Sequence, residues 1–170
     1  MLDIFKSLDI KKTSIIGISL GGWIATRFAI DYPHMVEKLV LISPSGIGEQ
    51  KKSFIFRYIL YMLSGEKGID KLYYKVNGDK AMPDTILRYQ RLIVKNFNYR
   101  NETIPVFKDK ELKKLKMPIS IFVGEKDIML KSLETKERAE RLLTNVNVNY
   151  MVDAGHSISN IYKDIIKFLD

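Results

Sequence analysis

Apolar residues recur along the chain at two spacings, and the changes of spacing mark out the elements. Leu2, Ile4, Phe5, Leu8 and Ile10 fall on one face at helical intervals, which predicts an amphipathic helix ending near Asp9, with Lys11 and Lys12 turning into a strand. That strand spans about Thr13 to Ile18 and contains the apolar run Ile15-Ile16-Gly17-Ile18. Trp23 to Ile30 follows at helical spacing and stops at Asp31-Tyr32-Pro33, since proline disfavours helical geometry in the residue before it. Val36 to Ile42 reads as a second buried strand closed by Ser43-Pro44-Ser45-Gly46, so strand, helix and strand make a right-handed parallel unit.

From about Ile47 to Phe107 the rhythm is helical throughout: Phe54 to Leu63, Gly68 to Val76, and Asp84 to Phe97 behind Pro83. This stretch is rich in Phe, Tyr and Met and has no convincing strand, which suggests a helical cap whose aromatic faces either line an apolar pocket or pack on one another and on the body. Strand spacing returns at Pro118 to Val123, ahead of Gly124-Glu125-Lys126-Asp127. A helix over about Ser132 to Leu143 carries its charges outward. Val146 to Val152 then alternates as a half-exposed edge strand would, and leads into Asp153-Ala154-Gly155-His156. Ile161, Ile165, Ile166 and Leu169 set a final helix from about Asn160 to Asp170.

The candidate chemistry sits at the strand ends. Gly17-Ile18-Ser19-Leu20-Gly21-Gly22 is a G-x-S-x-G stretch between a predicted strand and a predicted helix. There a serine lies on a sharp turn whose flanking positions are expected to be glycine because side chains would collide. Ser19 is thus a candidate nucleophile. Asp127 and His156 also lie just past predicted strand ends, where parallel sheets gather catalytic groups. Serine needs an imidazole to take its proton, and the imidazole needs a carboxylate to hold its tautomer. Glu125 and Asp153 compete with Asp127 for the acid's place, and His34, beside Pro33, reads as a surface residue.

Composition narrows the classes. The 170 residues suit one core with a small subdomain, and 46% apolar with 28% charged residues is ordinary for a globular protein. The net charge of +8 raises nucleic-acid binding, but the densest cluster, Lys108 to Lys116, has leucines at helical spacing and reads as a solvated helix face. No nucleic-acid partner is expected. No apolar run approaches a membrane span, and the first residues lack the basic and apolar blocks of a signal peptide, so the expectation is a cytoplasmic protein with no membrane span. With no cysteine and two histidines, thiolate chemistry, disulfides and metal sites are not expected, and no cofactor is implied.

Taken together, Gly17 to Gly22, Leu41-Ile42-Ser43-Pro44, Phe107 to Leu112, Gly124-Glu125-Lys126-Asp127 and Ala154-Gly155-His156 resemble the α/β-hydrolase family, in particular the C-terminal part of a capped carboxylesterase or lipase-like member. The resemblance implies an α/β fold: a partial α/β-hydrolase with a short, mostly parallel sheet of about four strands flanked by helices. Residues 1–46 and 108–170 would form the core and residues 47–107 the helical cap. It implies Ser19 as nucleophile, Asp127 as acid by its place in the G-x-x-D pattern, His156 as base, and the Leu20 backbone N–H as one oxyanion donor. Complete members carry strands before the elbow and a loop with the second oxyanion donor, and neither is found in this sequence. Two expectations follow. One is a serine hydrolase acting on a small-molecule ester of an apolar acid, or another acyl substrate, through an acyl-enzyme; the alternative is a weak or inactive hydrolase fragment that acts as, or derives from, an interaction module or an interrupted reading frame. In either case the elbow strand would expose an edge able to pair with a second copy or with a separately supplied segment.

Overall fold

A computed structural model describes residues 1–97 and 103–170, so residues 98–102 of the stretch expected as a cap lie outside it. Strands β1 (Thr13–Ile18), β2 (Val36–Ile42), β3 (Ile119–Gly124) and β4 (Val146–Met151) form one sheet in the order β1-β2-β3-β4, with every pair parallel. The connections are helical: α2 (Leu20–Asp31) and a 3-10 turn at Pro33–Met35 between β1 and β2, then α7 (Ser132–Leu142) between β3 and β4. Helix α1 (Leu2–Ser7) precedes the sheet and α8 (Tyr162–Leu169) follows it. Among the described residues no helix is long and apolar enough to cross a membrane.

Register decides where the chemistry lies. Ile18 pairs with Ile42, Ile42 with Phe122, and Phe122 with Asn149, so β1 and β2 end together and β3 and β4 run on two residues past them, to Gly124 and Met151. The loops after β1, β3 and β4 therefore open on the same rim of the sheet.

Side chains alternate across a strand, and the two faces build two cores. Leu39, Leu41, Ile119, Ile121 and Val123 point to one face and pack with Phe5, Ala25, Phe28, Ala29, Leu142 and Leu143 from α1, α2 and the end of α7. Val40, Ile42 and Phe122 point to the other, where Ile161, Ile165 and Phe168 cover them. Lys38 Nζ donates to the Phe168 and Leu169 carbonyls at 3.0 and 2.7 Å, placing a cation on the C-terminal end of α8. That second layer stops short of β1. Ile16 and Ile18, in register with Val40 and Ile42, are 49% and 60% exposed. A parallel sheet ordinarily buries both faces, whereas among the described residues β1 has no partner at its outer edge and no cover over one face.

Between β2 and β3 the chain passes through α3 (Lys52–Leu63), α4 (Gly65–Val76) and α5 (Asp84–Asn96). The stretch closes at its base. The Phe107 N–H donates to the Gly46 carbonyl at 2.9 Å, and Arg138 on α7 binds the Ile47 and Phe107 carbonyls together. Trp23 stacks on Phe107 at 5.3 Å between centroids and donates Nε1–H to the Pro105 carbonyl at 2.9 Å. Arg91 binds Asp70, tying α5 to α4. Of the large apolar side chains on α3, Ile55, Phe56, Ile59, Leu60 and Leu63 are exposed among the described residues.

Three local expectations need correction. α1 stops at Ser7, because Asp9 adopts left-handed backbone (φ 51°) and the Ile10 N–H returns to the Phe5 carbonyl at 2.8 Å. The Lys108–Lys116 cluster is helical for one turn only, as α6 (Asp109–Leu112). Beyond it, hydrogen bonds such as Leu115 N–H to the Leu112 carbonyl, three residues back, tighten the chain ahead of Pro118, although Leu112 and Leu115 are buried as their spacing implied. The final helix begins at Tyr162, after Asn160 turns through a φ of 62°.

Candidate active site

The elbow is built as a strand that passes directly beneath the first turn of a helix. Ser19 has φ 50° and ψ −114°, a left-handed backbone that an L residue adopts only under constraint. The constraint is visible: its N–H continues the sheet ladder to the Ile42 carbonyl at 2.9 Å, while its carbonyl accepts from the Trp23 and Ser45 N–H groups at 3.2 Å each. Its side chain is thereby presented, half-buried, above the sheet.

The glycines divide their work differently from the motif. A Cβ on Gly17 would lie 2.6 Å from the Gly21 carbonyl oxygen, so that position has no room for a side chain. A Cβ on Gly22 would come within 2.9 Å of the Pro44 side chain. A Cβ on Gly21 would meet nothing within 4 Å. The expectation that both glycines flanking the serine are sterically required therefore holds for Gly17 and fails for Gly21; the crowded neighbour on the helix side is Gly22.

Ser19, His156 and Asp127 come together across the rim. His156 Nε2 lies 2.9 Å from Ser19 Oγ, and His156 Nδ1 lies 2.7 Å from Asp127 Oδ2. Asp127 is 1% exposed, and its other oxygen, Oδ1, accepts the Met129 and Leu130 N–H groups at 2.7 and 3.0 Å. A buried carboxylate persists only when its lone pairs are satisfied, and these are. The arrangement allows Oδ2 to accept from Nδ1–H, which leaves Nε2 as an acceptor facing the serine hydroxyl.

The rival residues stand elsewhere. Glu125 is exposed, and Asp153 is committed to a surface ion pair with Lys126 at 2.6 Å, whose hydrogen bond holds the Asp153 carboxyl below its ordinary range. His34 is exposed in the 3-10 turn. Leu20 is the first residue of α2, in the turn whose N–H groups lack intrahelical partners, so its amide is available beside Ser19. Among the described residues no three His, Asp or Glu side chains group as a metal site requires.

One contributor was not singled out from sequence. Ser43, fully buried with φ 43°, donates its hydroxyl to the His156 backbone carbonyl at 2.8 Å and so anchors the histidine turn to the end of β2. The sequence signals were its position at a strand end beside the elbow and its place in the Leu41-Ile42-Ser43-Pro44 stretch, neither of which assigned it a role.

Comparison with known proteins places the chain. Over 169 residues it is 29% identical to carboxylesterase YbfK of Bacillus subtilis (strain 168), an alignment covering 94% of this chain and 56% of that protein. The uncharacterized carboxylesterase nap of the same organism is 25% identical, with 94% and 55% covered. The crystal structure of carboxylesterase CesB (YbfK) from Bacillus subtilis superposes with a TM-score of 0.83 at 24% identity, over 99% of this chain and 64% of that one. That of naproxen esterase (carboxylesterase NP), also from Bacillus subtilis, superposes with a TM-score of 0.84 at 22% identity and the same coverage. The chain thus spans a little over half the length of these curated relatives, and at such identities the structural likeness is one of fold. The family described as alpha/beta hydrolase fold matches residues 1–159, almost the whole of the sequence, and with the parallel sheet and the elbow this shows that the chain belongs to the α/β-hydrolase family.

Proposed function

We propose that this chain carries the catalytic residues of a serine carboxylesterase that cleaves small esters of apolar acids. The observation that carries the reading is the continuous line from Asp127 Oδ2 through His156 to Ser19 Oγ, with links of 2.7 and 2.9 Å, ending on a serine held in strained backbone. Ser19 Oγ attacks the ester carbonyl carbon while His156 Nε2 takes its proton. Asp127 stabilises the imidazolium, and the Leu20 N–H donates to the tetrahedral oxyanion. The intermediate collapses as the imidazolium protonates the departing alcohol, and water, deprotonated by His156, then releases the acid from the acyl-serine. The exposed apolar side chains of Leu20 and Ile24, close to the serine in sequence, favour an apolar acyl group, and α3 to α5 form the cap in this reading. The names of the relatives agree with ester chemistry.

A fluorophosphonate probe tests the nucleophile. It is expected to label Ser19 in the folded chain, and Ser19→Ala is expected to abolish both labelling and the hydrolysis of a 4-nitrophenyl ester. A folded parent chain that takes no label would overturn the assignment.

A second reading, an interaction role, is favoured by β1. Its outer edge has no strand partner among the described residues, and Ile16 and Ile18 have no covering layer. Edges of this kind recruit strands from other chains. The expected outcome is that light scattering of the purified chain at low concentration gives a mass above 19.7 kDa. A stable, soluble monomer would rule out pairing through this edge.

A further inference from the structure

Asp127 has donors inside its own turn, and the turn also has an outer partner. Glu49, Gln50 and Lys51, which lead into α3, run antiparallel to Met129, Leu130 and Lys131. The Lys51 N–H donates to the Met129 carbonyl at 2.8 Å, the Lys131 N–H donates to the Glu49 carbonyl at 3.0 Å, and Gln50 faces Leu130. The Lys51 side chain is half-buried, and its Nζ donates to the backbone carbonyl of Asp127 at 2.6 Å. Its neighbour Lys52 is exposed. At the far end of the α3–α4 pair, the Ser157 N–H donates to the Val76 carbonyl at 3.2 Å. Gly78 there lies so close that a Cβ on it would come within 2.5 Å of the Gly155 nitrogen. The same helical pair therefore touches the turn that holds the acid and the turn that holds the histidine.

We propose that Lys51 is a positioning residue, whose ammonium fixes the Asp127 turn to the start of α3 and keeps Asp127 Oδ2 in line with His156 Nδ1. The proposal rests on reading Ser19, His156 and Asp127 as a catalytic triad. A buried carboxylate is stabilised by nearby positive charge as well as by amide dipoles. The choice of atom matters. An ammonium on a carboxylate oxygen would compete with the imidazole for Oδ2, whereas on the backbone carbonyl it supplies charge and anchors the turn while leaving Oδ2 to His156. Without it the turn is held on its outer side by the short ladder and the surface ion pair of Lys131 with Glu49, and a shift of about 1 Å in a catalytic group can cost about 10²-fold in rate.

Lys51→Met, Lys51→Arg and the control Lys52→Met are to be compared with the parent by circular dichroism, by the rate of fluorophosphonate labelling of Ser19, and by kcat and KM on a 4-nitrophenyl ester. The downfield proton resonance of His156 Nδ1–H supplies a readout independent of activity. Lys51→Met is expected to lower labelling and kcat about 10- to 100-fold with KM changed less than about twofold, and to shift or broaden the resonance. Lys51→Arg is expected to restore labelling, kcat and resonance, and Lys52→Met to match the parent. If Lys51→Met does not fold, Lys51→Gln, a donor without charge, takes its place. An unchanged resonance with parental labelling in the uncharged variant overturns the proposal, as does failure of Lys51→Arg to rescue. Should the parent itself take no label, the triad reading falls, and the resonance alone then decides for or against Lys51 as the residue that holds Asp127 on His156.

Discussion

Asp127→Asn is expected to lower turnover about 10⁴-fold while the chain stays folded, and the direction follows from which oxygen is already occupied. Oδ1 accepts two backbone N–H groups, from Met129 and Leu130, so in the variant that site retains the amide oxygen; an NH₂ placed there would face two donors. The amide NH₂ must then occupy the Oδ2 position, 2.7 Å from His156 Nδ1. Nδ1 is forced to accept, the ring proton moves to Nε2, and the nitrogen facing Ser19 Oγ becomes a donor that cannot take the serine proton. Steady-state hydrolysis of a 4-nitrophenyl ester, with fluorophosphonate labelling and a thermal melt alongside, checks this. Activity within about tenfold of the parent would show that Asp127 does not hold the tautomer.

Gly17→Ala and Gly21→Ala are expected to behave oppositely although the motif treats them alike. At Gly17 the new methyl would sit 2.6 Å from the Gly21 oxygen and 2.8 Å from the Gly22 Cα, both backbone atoms of the first turn of α2, so the strand and the helix must separate. A destabilisation of about 3 kcal/mol is expected, lowering the melting temperature by about 10 °C in a chain of this size. Displacement of the turn also moves Ser19 away from His156, so labelling should fall with stability. At Gly21 the methyl meets open space and alanine favours the helix, so stability should stay within about 1 kcal/mol of the parent. Chemical denaturation of both variants decides; equal losses would mean that the elbow relaxes as a unit.

Much of the architecture was legible because it is local. Val36 with the apolar stretch Leu39 to Ile42, and the return of strand spacing at Pro118, predicted β2 and β3 to within a residue or two, since a strand covered on both faces is apolar at most positions. The half-exposed alternation of Val146 to Met151 likewise matches its place at the sheet margin. Errors collected where backbone geometry overrides spacing, as at Asp9 and Asn160, each in left-handed backbone, and past Leu112, where tighter turns replace the helix. The candidate site was legible as three residues past three strand ends. The preference for Asp127 over Glu125 and Asp153, however, rests in sequence on a family pattern, and the structure supplies physical grounds: burial and two amide donors at Asp127, a surface ion pair at Asp153.

By itself, then, the sequence determined the alternation of strands and helices, the tight turn around Ser19, and the order of serine, acid and histidine, because each depends on neighbours a few residues away. Tertiary structure alone decided the rest. Parallel register brings Ser19 to His156 across 137 positions of chain and turns one oxygen of Asp127 toward the imidazole. Close approach of α2 to β1 makes Gly17 indispensable and leaves Gly21 free. Packing between distant segments sets the Ser43 hydroxyl on the His156 carbonyl and the Lys51 ammonium on the Asp127 carbonyl. The strand that leads into Ser19 is also the one that, among the described residues, has no partner at its outer edge and no cover over one face, because covering depends on which elements pack beside it, and that is not written in the strand's own residues.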